Sequence, residues 1–106
     1  MKRILVTGGS RGIGKAIVDV FRNRGWEVLS PTRKEMNLCD RKSISNYCSS
    51  LEGPIDAIIN NAGINNIATI DQLGEEMFEE MLQVNLMAPV QIVRCLQNKL
   101  KKNKIG

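Results

Sequence analysis

A glycine-rich segment near the start of the chain is where residue types and spacing point most directly to chemistry. It contains, in order, Thr7-Gly8-Gly9-Ser10-Arg11-Gly12-Ile13-Gly14. An apolar run that predicts a strand precedes the segment, and an amphipathic run that predicts a helix follows it. Glycines allow a tight turn and close backbone approach, and free amides at a helix start can hold phosphate groups. The segment therefore indicates a pyrophosphate site; a glycine-rich turn without a ligand is the alternative.

Short apolar runs and amphipathic runs alternate around this segment. The runs at 3–7, 26–30 and 55–59 predict buried strands, and Met36-Asn37-Leu38 is interpreted as a further, very short strand. Helices are predicted from Gly12 to the stop signal at Gly25, and after the N-cap Asp40. A long helix is expected from about Glu75 to Lys102, kinked or broken at Pro89.

This alternation predicts an α/β fold: a Rossmann-like parallel sheet with helices on both faces, truncated to about four strands. Residues 1–106 suffice for one domain. Four strands are few for such a fold, and the end of the chain resembles the approach to a further strand. We therefore expect a single, incomplete dinucleotide-binding domain.

Composition argues against several other classes of protein. No apolar run approaches the ~20 residues of a membrane span, and no secretory leader is recognised, so a cytoplasmic location is expected. Basic residues are scattered and aromatic residues make up only 4%, which disfavours nucleic-acid binding. The basic residues near the end fit a helix C-terminus better than an anion patch: Lys99, Lys101, Lys102 and Lys104.

Metal binding and disulfides are also disfavoured. The chain has no histidine, and its three cysteines, Cys39, Cys48 and Cys95, are widely spaced. This pattern fits neither a zinc site nor a disulfide framework. Buried free thiols are expected instead.

Three ordered motifs carry a family resemblance. The glycine segment resembles the T-G-x-x-x-G-x-G fingerprint of the short-chain dehydrogenase/reductases. Asn60-Asn61-Ala62-Gly63 resembles that family's N-N-A-G element, and Val84-Asn85-Leu86 resembles its asparagine in the following long helix. The resemblance runs from Thr7 to about Leu86, which is only the first part of a typical family member.

The resemblance implies which residues bind a cofactor. The glycines would line the phosphates, Ile13 would lie near the nicotinamide, and residues 61–63 would flank the adenosine ribose. The candidate set is Gly8, Ser10, Arg11, Gly12, Ile13, Gly14, Leu38, Asn61, Ala62 and Gly63. Asn85 would correspond to the helix-bending asparagine of the family's proton relay. Two alternatives stay open: an Asn60-Asn61 pair that satisfies local backbone, and an Asn85 that serves as a structural cap.

The end of the second predicted strand bears on the choice of cofactor. An acidic residue there would contact the ribose 2′-hydroxyl of NAD, and none is present. Arg33 and Lys34 stand there instead, and Arg11 matches a cation that the family associates with the 2′-phosphate. NADP(H) is therefore the expected cofactor. A solvated basic loop is the alternative interpretation of Arg33 and Lys34.

The sequence departs from the family pattern in ways that bear on activity. No helix fits between Arg33 and Met36, and Asn37 stands where an aspartate commonly contacts the adenine. The family's serine and Tyr-x-x-x-Lys pair are absent, since Tyr47 has no lysine four residues later. The resemblance thus predicts the NADP(H)-binding portion of a carbonyl or alcohol oxidoreductase that is inactive alone.

A noncatalytic, homo-oligomeric binding protein on the same scaffold is the alternative function. The strand at 55–59 would be interior in the family and exposed here, which invites pairing with another chain. The long helix would leave apolar side chains free to pack in a dimer: Met77, Phe78, Met81 and Leu82.

Overall fold

The computed structural model describes residues 1–65 and 67–100. In this part of the chain, three strands alternate with two α-helices, two further α-helices follow the third strand, and a five-residue π-helical turn joins those last two helices. The elements are β1 (Arg3–Val6), α1 (Gly12–Asn23), β2 (Glu27–Leu29), α2 (Arg41–Ser50), β3 (Ala57–Ile59), α3 (Glu75–Leu82), the π turn (Gln83–Met87) and α4 (Ala88–Leu96).

The three strands form a parallel sheet in the order β2-β1-β3. Ile4 in β1 lies opposite Val28 on one side and Ala57 on the other. The chain therefore leaves β1 in one direction to make β2 and returns to its other side to make β3. In parallel α/β sheets, such a reversal creates a crevice at the carboxyl ends of the strands.

Helices cover both faces of the sheet, as expected for a Rossmann-like fold. Successive side chains of β1 alternate in direction, so Ile4 packs with Val18 of α1 while Leu5 faces the opposite side. There Leu5 lies in a core with Ile44 of α2 and Ile92 of α4. Burial of each such side chain contributes about 1.5–3 kcal/mol. The α/β, Rossmann-like prediction is confirmed.

The prediction of a strand at Met36-Asn37-Leu38 is wrong, and the described residues form three strands rather than about four. The Met36 amide donates to the Thr32 carbonyl at 2.9 Å, which closes a turn. The Asn37 amide donates to Ser43 Oγ, and Asn37 Oδ1 accepts from the Cys39 amide. These local bonds replace strand pairing, while the Met36 side chain still enters the core.

The boundaries of α1 and α2 follow their sequence signals. Asp40 caps α2, because its carboxylate accepts hydrogen bonds from the amides of Lys42 and Ser43. Gly25 follows α1 with a φ of +82°, the left-handed conformation that suits glycine after a helix.

The long predicted helix ends earlier and bends earlier than expected. The bend is the π turn at Gln83–Met87, and Pro89 lies just inside the start of α4. Proline has no amide hydrogen for the carbonyl four residues before it, which favours an irregular turn there. The helix stops at Leu96 rather than Lys102, because Leu100 turns to pair with Ile55.

The ammonium group of Lys99 lies at the C-terminus of α2, and not at the end of the long helix where the sequence predicts it. This group donates to the carbonyls of Cys48 and Leu51, where α2 ends. A cation at these carbonyls is stabilised by the helix dipole. Lys101, Lys102 and Lys104 lie outside the described residues.

The prediction of buried thiols holds only for Cys48. Cys39 lies in an exposed turn, and Cys95 is exposed on α4; all three cysteines are free. Within the described ranges, no helix combines the length and the apolar character needed to cross a membrane.

Candidate functional site: a cleft at the carboxyl ends of the strands

A cleft of about 890 Å³ opens where the strands end. The structure brings together most of the residues that the sequence predicts to bind a cofactor. Those in the cleft wall are Gly8, Ser10, Arg11, Gly12, Ile13, Gly14, Arg33, Leu38, Asn61, Ala62 and Gly63. Lys34 and Asn85 lie outside this wall.

The glycine loop folds tightly against the start of α1. A side chain at Gly14 would overlap the carbonyl oxygen of Gly8, so the helix can approach the loop only because this residue is glycine. Gly12 has a φ of +60° and open space where its side chain would be. The loop therefore leaves room above the helix start.

The N-terminus of α1 lacks a capping side chain. Arg11 makes no capping hydrogen bond, and the first turn holds no acidic residue. The first amide of α1 that donates a backbone hydrogen bond is that of Lys15, to the Arg11 carbonyl at 3.3 Å. The amides of Gly12, Ile13 and Gly14 have no acceptor among the described residues, and these three residues line the cleft. Free amides at a helix start, with the positive end of the dipole, suit an anion such as a pyrophosphate.

Thr7 joins the two loops that form the cleft, a role that the sequence analysis missed. Its hydroxyl oxygen accepts from the amides of Asn61 at 3.1 Å and Ala62 at 3.0 Å. Thr7 is only 3% exposed. The sequence does contain a sign of this role: Thr7 stands at the end of an apolar strand, and a hydroxyl group that is buried there needs hydrogen-bond partners.

The side chain of Asn61 is used to bind backbone. Its Nδ2 donates to the Gly8 carbonyl at 3.1 Å, which adds a second connection between the loops after β1 and β3. This partner lies 53 residues away in the sequence and is not local backbone, and contact of Asn61 with a cofactor stays a prediction. The adjacent Asn60 is exposed.

Asn85 lies in the π turn and holds the loop after β3. Its Oδ1 accepts from the Ile64 amide and its Nδ2 donates to the Ile64 carbonyl, both at 2.8 Å. The residue thus acts as a structural cap for that loop. Its participation in a proton relay stays a prediction.

Positive charge dominates the cleft wall. Arg11, Arg22 and Arg33 line it, against one acidic residue, Glu80, among the described residues of the wall. Arg22 is not among the residues predicted from the sequence, although its position eight residues after Gly14 on α1 places both on one helix face. The wall therefore favours an anionic ligand.

Glu80 lies beside Cys39 where the cleft adjoins a second cavity of about 500 Å³. Cys39 Sγ is 3.8 Å from the Glu80 carboxylate. Burial, and next the negative charge of Glu80, raise the pKa of the Cys39 thiol. The thiol is therefore kept protonated near neutral pH. Within the described ranges, no three histidine, cysteine or acidic side chains are grouped as metal ligands.

Comparison with known proteins places this geometry in a family. Residues 34–106 match the family model described as short chain dehydrogenase. The chain is 27% identical over 118 aligned residues to the 3-oxoacyl-[acyl-carrier-protein] reductase MabA of Mycobacterium tuberculosis, covering 99% of the chain and 48% of MabA. The chain thus spans about half the length of the curated relatives it matches.

Solved structures show the same fold. A short-chain dehydrogenase/reductase from Brucella ovis, in complex with a partially ordered NAD, has a TM-score of 0.84 and 26% identity, covering 92% of this chain and 57% of that one. A 4-hydroxyisoleucine dehydrogenase complexed with NADH has a TM-score of 0.87 and 26% identity, covering 92% and 49%. Since the family model matches more than half of the sequence, this chain belongs to the short-chain dehydrogenase family.

Proposed function

We propose that the cleft binds NADP(H) and that this chain forms the dinucleotide-binding part of a short-chain oxidoreductase. The observation that carries the proposal is the combination of free amides at the start of α1 with Arg11 and Arg33 in one cleft wall. The amides suit the pyrophosphate, and the guanidinium groups suit a further phosphate.

The cleft also offers apolar contacts for a dinucleotide. Ile13 lines it with 76% of its surface exposed, which a bound nicotinamide ring would cover. Leu38 and Met36 line the side beyond β2, where an adenine would lie. Residues 61–63 line the same cleft, where the family resemblance assigns them to the adenosine ribose.

The preference for NADP(H) over NAD(H) is proposed from this chain's own residues, because the solved neighbours include complexes with NAD, with NADH and with NADPH. Residues 30–33 follow β2 and line the cleft, and none of them is acidic. Glu35, the first acidic residue after β2, accepts a hydrogen bond from the Thr32 amide at 2.9 Å and does not line the cleft. Arg33 therefore lines the cleft without an acidic residue of this segment beside it in the wall.

In the intact protein, the bound cofactor would exchange hydride with a carbonyl or alcohol substrate. The resemblance assigns substrate orientation and proton delivery to a serine and a Tyr-x-x-x-Lys pair that the 106-residue sequence does not contain. General acid catalysis alone typically contributes ~10²–10⁴-fold. We therefore propose that these residues alone bind cofactor without turnover.

Fluorescence titration with NADPH and NADH tests the assignment. Arg33→Ala should lower the affinity for NADPH about tenfold and leave the affinity for NADH nearly unchanged, because one charge-assisted contact with the 2′-phosphate is lost. Arg24→Ala is the control, because Arg24 does not line the cleft, and it should change neither affinity. Equal losses for both cofactors in Arg33→Ala would contradict NADP(H) selection, and rapid NADPH oxidation with a carbonyl substrate would contradict the absence of turnover.

We also propose, as a second candidate function, self-association through the outer stripe of the long helix. The outer stripe consists of Phe78, Leu82, Leu86, Val90 and Val93. Each of these side chains is 41–56% exposed, and no residue of α3 is buried. By contrast, the segment that leads into β3 already has a backbone partner, because the Ile55 amide donates to the Lys99 carbonyl.

The charges beside the outer stripe favour a second copy of the chain in antiparallel orientation. The start of α3 is acidic, and Arg94 lies at the other end of the stripe. The acidic residues are Glu75, Glu76, Glu79 and Glu80. An antiparallel pair would bring each acidic end to a basic end.

Sedimentation equilibrium tests this pairing. The unmodified chain should dimerise, and Val90→Glu should shift it toward monomer. Val20→Glu changes a comparably exposed valine on α1, 48% against 56%, and should leave the dimer intact. A monomer at every concentration would rule out self-association.

A further inference from the structure

Arg22 extends one face of α1 into the cleft. Gly14, Val18 and Arg22 are spaced by four residues and all line the cleft wall. Residues four apart lie above one another on a helix surface. The helix that presents its N-terminus to the pyrophosphate therefore also presents a guanidinium group two turns further along.

The face of α1 that carries Arg22 lies beside the end of β2. A side chain at Gly9 would lie 2.8 Å from Val18 Cγ2 and would overlap Ser30 Oγ. Val18, one turn before Arg22, thus lies close to Ser30, where the segment leading to Arg33 begins. Arg22 and Arg33 both line the cleft that this helix face and this segment border.

The Arg22 side chain makes no hydrogen bond or ion pair with the described part of the chain. On another face of the same helix, Lys15 is paired with Asp19 at 3.1 Å. The positive charge of Arg22 is thus left for a ligand.

We infer that Arg22 is a specificity-determining residue, which forms with Arg33 a subsite for the phosphomonoester on the ribose 2′-oxygen of NADP(H). The inference rests on the proposed function, because it deepens the selection between the two cofactors. Two guanidinium groups from different elements can each donate paired hydrogen bonds to one phosphate. Arg22 then reinforces the selection made by Arg33.

The test compares Arg22→Gln with Arg24→Gln, in titrations of the full chain with NADPH and NADH. Both substitutions remove one positive charge near the end of α1, but Arg24 does not line the cleft. Arg22→Gln should lower the affinity for NADPH about three- to tenfold and the affinity for NADH less than about twofold. The effect on NADPH is modest because water can reach the contact between the guanidinium group and the phosphate. Arg24→Gln should leave the ratio of the two affinities unchanged.

The outcomes separate this inference from the proposed function. If the unmodified chain prefers NADPH and Arg22→Gln keeps that preference, Arg22 plays no part and the proposed function stands. Equal weakening of both cofactors, or the same change in Arg24→Gln, also overturns the inference. If the unmodified chain binds NADH as well as NADPH, or binds neither, the proposed function fails and the inference with it.

Titration with adenosine 2′,5′-bisphosphate and adenosine 5′-monophosphate removes the nicotinamide half from the comparison. Arg22→Gln should weaken only the bisphosphate. Loss of affinity for the monophosphate as well would assign Arg22 to the 5′-phosphate or to the fold. Thermal unfolding of both variants checks that they remain folded.

Discussion

The side-chain amide of Asn85 pairs with both backbone polar groups of Ile64, accepting from its amide and donating to its carbonyl at 2.8 Å each. A side chain in the π turn thus makes the pair of hydrogen bonds that a neighbouring strand would make, and it holds the loop after β3 in place. A side chain at Gly63 would lie 3.3 Å from Asn85 Oδ1, so the loop and the turn are in close contact.

Replacing Asn85 should loosen that loop. Asn85→Ala removes both hydrogen bonds and should lower the free energy of unfolding by about 1 kcal/mol, because water can reach these groups. Hydrogen exchange of the Ile64 amide should accelerate in the same variant. Asn46→Ala, on the exposed side of α2, is the control and should leave the exchange of the Ile64 amide unchanged. If this amide exchanged in Asn85→Ala as slowly as in the unmodified chain, the bracing role of Asn85 would be contradicted.

Thr7 should be sensitive to loss of its hydroxyl. Thr7→Val keeps the shape but leaves the amides of Asn61 and Ala62 without their acceptor, which should cost about 2–3 kcal/mol in urea unfolding. Thr7→Ser keeps the oxygen and should cost about 1 kcal/mol for the lost methyl group. Equal losses in the two variants would show that packing, not hydrogen bonding, makes Thr7 important.

Gly14 and Gly12 should respond to alanine for different reasons. Gly14→Ala places a methyl group onto the Gly8 carbonyl and should destabilise the fold by about 2–3 kcal/mol or displace α1. Gly12→Ala meets no neighbour and should cost about 1 kcal/mol, from its positive φ alone. Thermal unfolding measures both; a Gly14→Ala variant as stable as Gly12→Ala would contradict the close approach.

Stability should fall at alkaline pH through Cys48. Burial, and next the neighbouring Cys95, raise the pKa of Cys48 from 9.0 to about 11. The unfolded chain then releases this proton first, so the contribution is complete below pH 9 and is lost as pH rises toward 11. The loss should be about 2 kcal/mol.

Urea unfolding at several pH values measures this loss. Cys48→Ala isolates it from the nearby Tyr47, whose pKa burial also raises. The variant should be less stable at neutral pH because an apolar contact is lost, and its stability should decline less between pH 9 and 11. Parallel declines in the two proteins would refute the assignment to Cys48.

Some elements could be predicted because their signals are local. Asp40 before the apolar periodicity of α2 gives the helix start, and the glycine segment between a strand and a helix gives the loop. The turn at Met36 was mistaken for a strand, because an apolar side chain enters the core equally from a strand or a turn. The end of α4 was misplaced because Leu100 pairs with Ile55, forty-five residues earlier in the sequence.

The sequence by itself determined the α/β class, the glycine loop, the family and most of the residues in the cleft wall, because each depends on spacing along the chain. Only the tertiary structure decided that Thr7 connects the loops after β1 and β3, that Asn85 braces Ile64, and that Arg22 faces the cleft with Arg33. These relationships join residues from different elements. The distances between them are set by pairing of β2 and β3 on opposite sides of β1 and by packing of α1 against β1 and β2, and no local sequence pattern records either.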